Sequence, residues 1–249
     1  MRIPREVHPP TYNAHSHHCA RFYDLVIDPK QVASFVFDIL SKHQPHYCLF
    51  VGGFFLVAKE LQKLGLELVV ADYSEEMVYE GLNRIPNINI VCSDIRDLPF
   101  NNAFDAVIII GRVFTHMLTD DDCNRALKSI SRSLRSGGIL LFDNYETLKI
   151  QATDYFNGTV TVHDGTDSIE RTSTTALISN APTIVSWTAT YRTTIGGETS
   201  TFTDQMQHRS FTRKEVKYIL EENNFALLSE GKSFDETSFY ALAKMSGTR

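Results

Sequence analysis

Five short stretches that carry polar or glycine residues follow apolar runs along this chain, and their residue types suit a nucleotide-like ligand. They are Gly52-Gly53, Asp72-Tyr73, Ser93-Asp94-Ile95, Ile110-Gly111-Arg112 and Asp143-Asn144. The carboxyl ends of parallel strands meet at one edge of a sheet, so these stretches are predicted to converge on the crevice where such ligands sit. The sequence therefore predicts a cofactor site.

Asp72 ends an apolar run, where a carboxylate can hold a ribose. Such a side chain accepts hydrogen bonds from two ribose hydroxyls and repels a 2′-phosphate. The plainer alternative is that Asp72 only caps the helix that begins at Ser74. We favour the ribose role, because both the position and the residue type agree with it.

A slot for a base is predicted beside this ribose site. Asp94 can accept a hydrogen bond from an adenine amino group, while the Ile95 amide donates to a ring nitrogen. Tyr73, Met77 and Ile95 supply apolar walls. For Met77, an ordinary place in the core between helix and sheet explains the residue at least as well.

The elements that must position these residues alternate between strand and helix. Continuous apolar runs, typical of strands covered on both faces, lie at Tyr47–Val51, Leu66–Ala71, Ile88–Cys92, Phe104–Ile110 and Ile139–Asp143. Capping residues and helical periodicity predict helices between them. We therefore expect an α/β fold with a doubly wound, Rossmann-like sheet, mostly parallel with the last strand antiparallel.

The second half of the chain changes character. Residues 158–210 alternate with period two and are rich in threonine, which predicts an antiparallel meander of about four strands. We divide the chain into an N-terminal arm (1–27), an α/β domain (28–150 with 211–249) and an antiparallel elaboration (151–210) that serves as a lid or in oligomerisation. The arm holds His15, His17 and His18; a capping or flexible arm is favoured over a metal site, because no fourth fixed ligand is evident.

Composition excludes several classes of protein. The 249 residues carry a net charge of −6, which disfavours nucleic-acid binding. The four cysteines are scattered without a C-x-x-C pair, and neither a signal peptide nor a membrane-length apolar run is visible. We expect a cytoplasmic protein that acts on a small molecule, away from membranes.

Four motifs in order resemble those of class I S-adenosylmethionine-dependent methyltransferases. They are VVADYSEEMV, VCSDIRDLPF, FDAVIIIGRVFTHMLTDDD and LKSISRSLRSGGILLFDNYE, within a resemblance that spans about residues 22–145. The chain is also similar to the small-molecule members typified by N,N-dimethyltransferases of amino-sugar biosynthesis. The stretches ARFYDLV and QHRSFTRKEVKYILEENNF carry this second similarity.

The resemblance implies S-adenosylmethionine as cofactor and a small-molecule amine or hydroxyl as methyl acceptor. It implies that Gly52-Gly53 line the methionine part, with Tyr23 near its amino-acid end. Ile110-Gly111-Arg112 would lie beside the transferring methyl group, and His116 would face the acceptor as a base. Arg112 and His116 are therefore the candidate catalytic residues. The alternative for His116 is an ordinary residue at a helix entry, and His208 is a weaker candidate base.

The first motif departs from the family pattern. Leu49, Val51 and Phe55 occupy positions where an acidic residue, a glycine and a glycine are usual, and only Gly53 matches. Val51 and Phe55 are expected to bring bulk toward the cofactor space. Two accounts therefore compete. In one, the cofactor still binds and methyl transfer relies on Asp72, Asp94 and compensating groups elsewhere. In the other, the fold has lost cofactor binding and serves as a binding or assembly module or a different catalyst.

Other enzyme classes fit less well. A nicotinamide dehydrogenase requires G-x-G-x-x-G, which the Gly52-Gly53 turn does not supply. A serine hydrolase requires a G-x-S-x-G elbow, which the sequence lacks. Nucleic-acid amino-methyltransferases usually place Pro-Pro and an aromatic residue after the fourth strand, where this chain has Ile110-Gly111-Arg112-Val113.

Overall fold

The computed structural model describes residues 15–151, 157–235 and 237–246. Its strands are β1 (Tyr47–Val51), β2 (Glu67–Asp72), β3 (Asn89–Cys92), β4 (Phe104–Ile109), β5 (Leu134–Tyr145), β6 (Gly158–Asp164), β7 (Asp167–Asn180), β8 (Thr183–Ile195), β9 (Glu198–Ser210), β10 (Phe225–Lys232) and β11 (Ser238–Met245). Its helices are α1 (Ser16–Val26), α2 (Pro29–Ser41), α3 (Phe55–Lys63), α4 (Glu75–Arg84), α5 (Asp120–Ser133), α6 (Thr147–Ile150) and α7 (Arg213–Glu222).

Seven strands form the central sheet in the order β10-β11-β5-β4-β1-β2-β3. Strands β1 to β5 pair in parallel, whereas β11 pairs antiparallel to both β5 and β10. The strand order reverses between β1 and β4, so the turns after these two strands border the crevice. The predicted doubly wound sheet is confirmed.

Two apolar layers cover the sheet. One layer includes α2 and α3, through residues such as Val36 and Leu61. The other includes α5 and α7, through residues such as Leu127 and Leu220. Most residues of β1, β2, β4 and β5 are buried, so both faces of these strands are covered, which explains why the sequence shows continuous apolar runs there.

Local sequence signals set the helix starts. Asp28 accepts from the amides of Lys30 and Gln31, with Pro29 as the first residue of α2. Thr212 and Glu215 form a capping box at α7. These side chains satisfy amides that the first helical turn leaves without partners.

The predicted meander is a separate four-stranded antiparallel sheet in the order β6-β7-β8-β9. On one face it buries Trp187, Tyr191 and Phe202. Cys19 and Phe22 of α1 pack into this same cluster. The part of the N-terminal arm at Ser16–Val26 is thus a helix docked on the sheet, which the pattern analysis did not predict.

Within the described ranges, no helix combines the length and apolarity that a membrane crossing requires. The same residues contain no group of three or more histidine, cysteine or acidic side chains placed to hold a metal ion.

Candidate functional site

The turn between β1 and α3 touches the end of β2 and the start of α4. Gly52 has φ +114°, and a Cβ there would lie 2.6 Å from Cγ2 of Val113. A Cβ on Gly53 would lie 2.4 Å from Cε of Met77 and 3.5 Å from Oδ2 of Asp72. Glycine therefore lets this backbone approach the Asp72 carboxylate, as a cofactor cradle requires.

The two bulky residues of the first motif do not enter the crevice. Val51 is 3% exposed and belongs to the α5–α7 layer of the core. Phe55 is 1% exposed and packs under α4, where its ring occupies the space that a Cβ on Gly81 would need. The expectation that both side chains crowd the cofactor space is therefore wrong, because both point into the core.

Phe54, which the sequence analysis passed over, occupies the crevice instead. A Cβ on Gly111 would lie 2.9 Å from the Phe54 ring, and the ring centroid lies 6.0 Å from that of Tyr23. The cavity lined by Tyr23, Ile27, Phe54 and Val57 holds about 10 Å³. Phe54 thus fills the space between the β1 and β4 turns, where the methionine part of the cofactor is predicted to lie.

The Asp72 carboxylate faces both the start of α4 and the Gly53 turn. Its Oδ1 accepts from the Ser74 amide at 2.9 Å, while Oδ2 is the oxygen nearest Gly53. Ser74 itself caps α4 by accepting from the Met77 amide. Burial raises the pKa of Asp72 from 3.8 to about 6, against the opposing hydrogen bonds from the Ser74 and Tyr73 amides. Two hydroxyl donors would restore solvation to this carboxylate.

Two of the predicted base-slot residues border this carboxylate. Met77 is 6% exposed, belongs to the core and reaches the Gly53 turn with its methyl end. Tyr73 is half-buried beside it, and its carbonyl accepts from the Cys92 thiol. Met77 therefore satisfies both the core role and a place beside the predicted slot.

Asp94 lies in an ion pair. Arg96 donates to Oδ1 and Oδ2 of Asp94 through Nε at 3.0 Å, and to Oδ2 through Nη2 at 2.6 Å. The other arm of Arg96 donates to Asp122 at 2.7 Å. The Ile95 side chain packs in the core. An adenine amino group would share Asp94 with Arg96, so the adenine role of Asp94 and Ile95 stays a prediction.

The turn after β4 is anchored to β5 and β11. Ile110 is buried, Gly111 has φ +97°, and Arg112 has φ +66°. The Arg112 amide donates to Oδ1 of Asp143 at 2.7 Å, and its guanidinium binds Asp235 and Ser238. These contacts make Arg112 a group that positions the turn, and its predicted catalytic role is untested.

His116 and His208 come together at the far end of this turn. Their ring centroids are 5.0 Å apart. The His208 Nδ1 shares a hydrogen bond of 3.2 Å with the Tyr145 hydroxyl, and its Nε2 is buried without a partner among the described residues. The ring of Trp187 stacks 6.2 Å from His208. Sequence reasoning ranked His208 below His116 as a candidate base and did not predict its burial, which depends on pairing within the second sheet.

Comparisons with known proteins agree with this geometry. A family model described as "Methyltransferase domain" matches residues 52–142. YqeM of Bacillus subtilis (strain 168) is 32% identical over 98 residues, which are 38% of this chain and 40% of that protein. The dTDP-4-amino-2,3,4,6-tetradeoxy-D-glucose N,N-dimethyltransferase of Saccharopolyspora spinosa is 30% identical over 79 residues, 32% of this chain and 30% of that enzyme. The chain thus spans less than half the length of these two curated relatives.

The crystal structure of Streptomyces venezuelae DesVI superposes with a TM-score of 0.81 at 17% identity, over 91% of this chain and 97% of that chain. This likeness concerns the fold. Together with the domain match over residues 52–142, it agrees with the resemblance to class I S-adenosylmethionine-dependent methyltransferases.

The residues present fit that cofactor at its ribose end. The Gly53 backbone and the buried Asp72 carboxylate form a cradle that a Cβ would fill. The methionine end fits only when the Phe54 ring leaves Gly111.

Proposed function

We propose that this chain, a methyltransferase by fold and by domain, transfers a methyl group to an amine or hydroxyl of a small-molecule acceptor. One observation carries the proposal: the β4 turn that borders Gly52 leads directly into the imidazole pair of His116 and His208. A Cβ on Gly52 would lie 3.9 Å from the Ile110 carbonyl oxygen, so the two turns are neighbours. We infer that the predicted cofactor cradle and this imidazole pair share one crevice.

S-adenosylmethionine supplies an activated methyl group when it is bound. Asp72 would hold its ribose, the Gly52-Gly53 backbone would line the methionine part, and Tyr23 would face the amino-acid end. Because the methyl group is already activated, the chain's own residues need only orient the acceptor, exclude water and take up a proton. His116, which is half-buried, takes that proton.

His208 has a different task from His116. Burial, followed by the nearby His116 and Arg112 charges, lowers the pKa of His208 well below its usual value. A neutral imidazole at Nε2 can hydrogen-bond the acceptor without repelling a protonated amine. His208 therefore orients the acceptor for His116.

The relative from Saccharopolyspora spinosa, whose name describes an N,N-dimethyltransferase of an amino sugar, supports amino sugars as the first acceptors to screen. The antiparallel sheet has two edge strands, β6 and β9, and we expect a homo-oligomer to cover them. Light scattering of the purified protein measures that oligomeric state.

The decisive experiment is calorimetric titration of ligand-free protein with S-adenosylmethionine and with S-adenosylhomocysteine. Micromolar binding of either supports the proposal and leads to an acceptor screen read by mass spectrometry. Folded protein that gives no heat up to millimolar ligand contradicts it.

A binding module without cofactor is the second candidate function. The Phe54 ring against Gly111 and the absence of an acidic residue at Leu49 favour it. The same titration separates the two, and Phe54→Ala adds a second comparison. Binding that appears only in the Phe54→Ala variant would identify Phe54 as the block.

A further inference from the structure

Arg171 of β7 lies against aromatic side chains on the inner face of the second sheet. Its Cζ is 4.6 Å from the ring centroid of Phe22, 5.8 Å from that of Trp187 and 5.9 Å from that of Tyr23. Phe22 and Tyr23 belong to α1, so the docked helix and the sheet enclose the guanidinium from both sides. Aromatic faces attract a cation, and this offsets part of the cost of burying it.

The hydrogen-bonding capacity of this guanidinium is largely unused. Nη1 donates to the Tyr23 hydroxyl at 3.4 Å, while Nε is buried and has no partner among the residues that the structure describes. Across 15–151, 157–235 and 237–246, no carboxylate lies within ion-pair distance of Arg171, whereas Arg84, Arg96 and Arg112 all have one. A buried cation normally pairs with an anion, because its desolvation is costly.

Two aromatic side chains connect this position to the crevice described above. Trp187 lies between Arg171 and His208, at 5.8 Å and 6.2 Å. Tyr23 lies between Arg171 and Phe54, with the Phe54 ring 6.0 Å away. Arg171 is thus one residue removed from both the acceptor side and the cofactor side of the site.

We propose that Arg171 is an anion-binding subsite of this crevice, which receives a carboxylate or phosphate group of a bound ligand. The planar guanidinium presents parallel N–H donors that match both groups. Two sources fit this chemistry: an anionic group on the acceptor, or the methionine carboxylate of the cofactor. The choice between the sources rests on the proposed function, whereas the anion site itself does not.

Trp187 is the only tryptophan of the chain, so tryptophan fluorescence reports on its surroundings, which include Arg171 and His208. Inorganic phosphate and pyrophosphate are titrated against the wild type and Arg171→Met. The matched control is Arg192→Met, which removes the same charge from an exposed position on the neighbouring strand. Arg171→Lys keeps the charge and tests the site if the methionine variant does not fold.

A second arm distinguishes the two sources. S-adenosylhomocysteine carries the methionine carboxylate, and 5′-methylthioadenosine lacks it. If the cofactor is the source, Arg171→Met weakens binding of the first ligand at least tenfold and leaves the second unchanged. If the acceptor is the source, pyrophosphate binding falls at least tenfold and both nucleosides bind as before.

The proposal is overturned if Arg171→Met and Arg192→Met bind every probe with affinities within twofold of each other. It is also overturned if the wild type shows neither saturable binding of phosphate or pyrophosphate nor tighter binding of S-adenosylhomocysteine than of 5′-methylthioadenosine. Failure of the methyltransferase proposal gives a different result. Neither nucleoside would then bind any variant, while phosphate or pyrophosphate would still change Trp187 fluorescence in an Arg171-dependent manner.

Discussion

The imidazole of His116 stands edge-on to the imidazole of His208, with the ring planes at 87° and the centroids 5.0 Å apart. The two rings have unequal surroundings. His208 is 7% exposed and bonded to Tyr145, whereas His116 is half-buried. This asymmetry supports the proposed division of labour, in which His116 accepts the proton and His208 orients the acceptor.

Replacing His116 by alanine is expected to lower kcat about 100-fold, the usual contribution of a positioned base. The cofactor Kd stays within twofold of the wild type, because His116 does not line the cradle. His163→Ala removes an exposed imidazole of β6 and serves as the control. If kcat of His116→Ala is unchanged, the proton passes to solvent and His116 is not the base.

Asp72→Asn is expected to weaken S-adenosylhomocysteine binding at least tenfold while raising the thermal stability of the ligand-free protein at pH 7. The Asp72 pKa is raised from 3.8 to about 6 in the folded protein. Between these two values the folded protein holds a proton that the unfolded chain has lost, so the free energy of unfolding falls as pH rises through this range. The amide of Asp72→Asn cannot ionise, so the variant avoids this loss of stability. Calorimetry and differential scanning measure both effects, with Glu75→Gln of the exposed α4 surface as control.

Alanine at the two adjacent glycines should have opposite consequences. Gly53→Ala displaces only the flexible methyl end of Met77, so stability changes little, but the new Cβ fills the cradle and binding falls tenfold or more. Gly52→Ala forces φ +114° on a residue with a side chain and should cost about 2 kcal/mol of folding free energy. Equal stability loss in the two variants would contradict this account.

His18 is expected to make the free energy of unfolding depend on pH. Burial, then the charges of His17, His15 and Arg21, lowers the His18 pKa from 6.5 to about 4. Between these values the unfolded chain binds a proton that the native state does not, so stability falls as pH drops from about 6.5 to about 4. Denaturant titrations at pH 4.5 and 7.5 should show a smaller difference in His18→Gln than in the wild type or in His163→Gln.

The alternation of apolar runs and caps was sufficient to predict the central sheet and the meander. Both depend on local patterns: Asp28 and Thr212 begin helices through their own neighbours, and the fully buried strands read as unbroken apolar runs. Element types were therefore predictable, since periodicity records burial.

The contents of the site were less predictable, because they depend on contacts between distant parts of the chain. The α1 segment is polar and histidine-rich, and only the second sheet gives its Cys19 and Phe22 a place to pack. The positions of the motifs predicted that Asp72 would lie near Gly53. They did not predict that the Arg96 guanidinium would form an ion pair with the Asp94 carboxylate. It also assigned the bulk at the turn to Phe55, whereas Phe54 provides it.

The strand order has a consequence for synthesis of the chain. The outer edge of β5 is covered by β11, the last strand described, while the whole second sheet and α7 intervene in sequence. In a nascent chain, this edge of β5 therefore stays unpaired until β11 has been synthesised. An unpaired strand edge can pair with other chains. A ribosome that stops before Ser238 would release a product prone to aggregation.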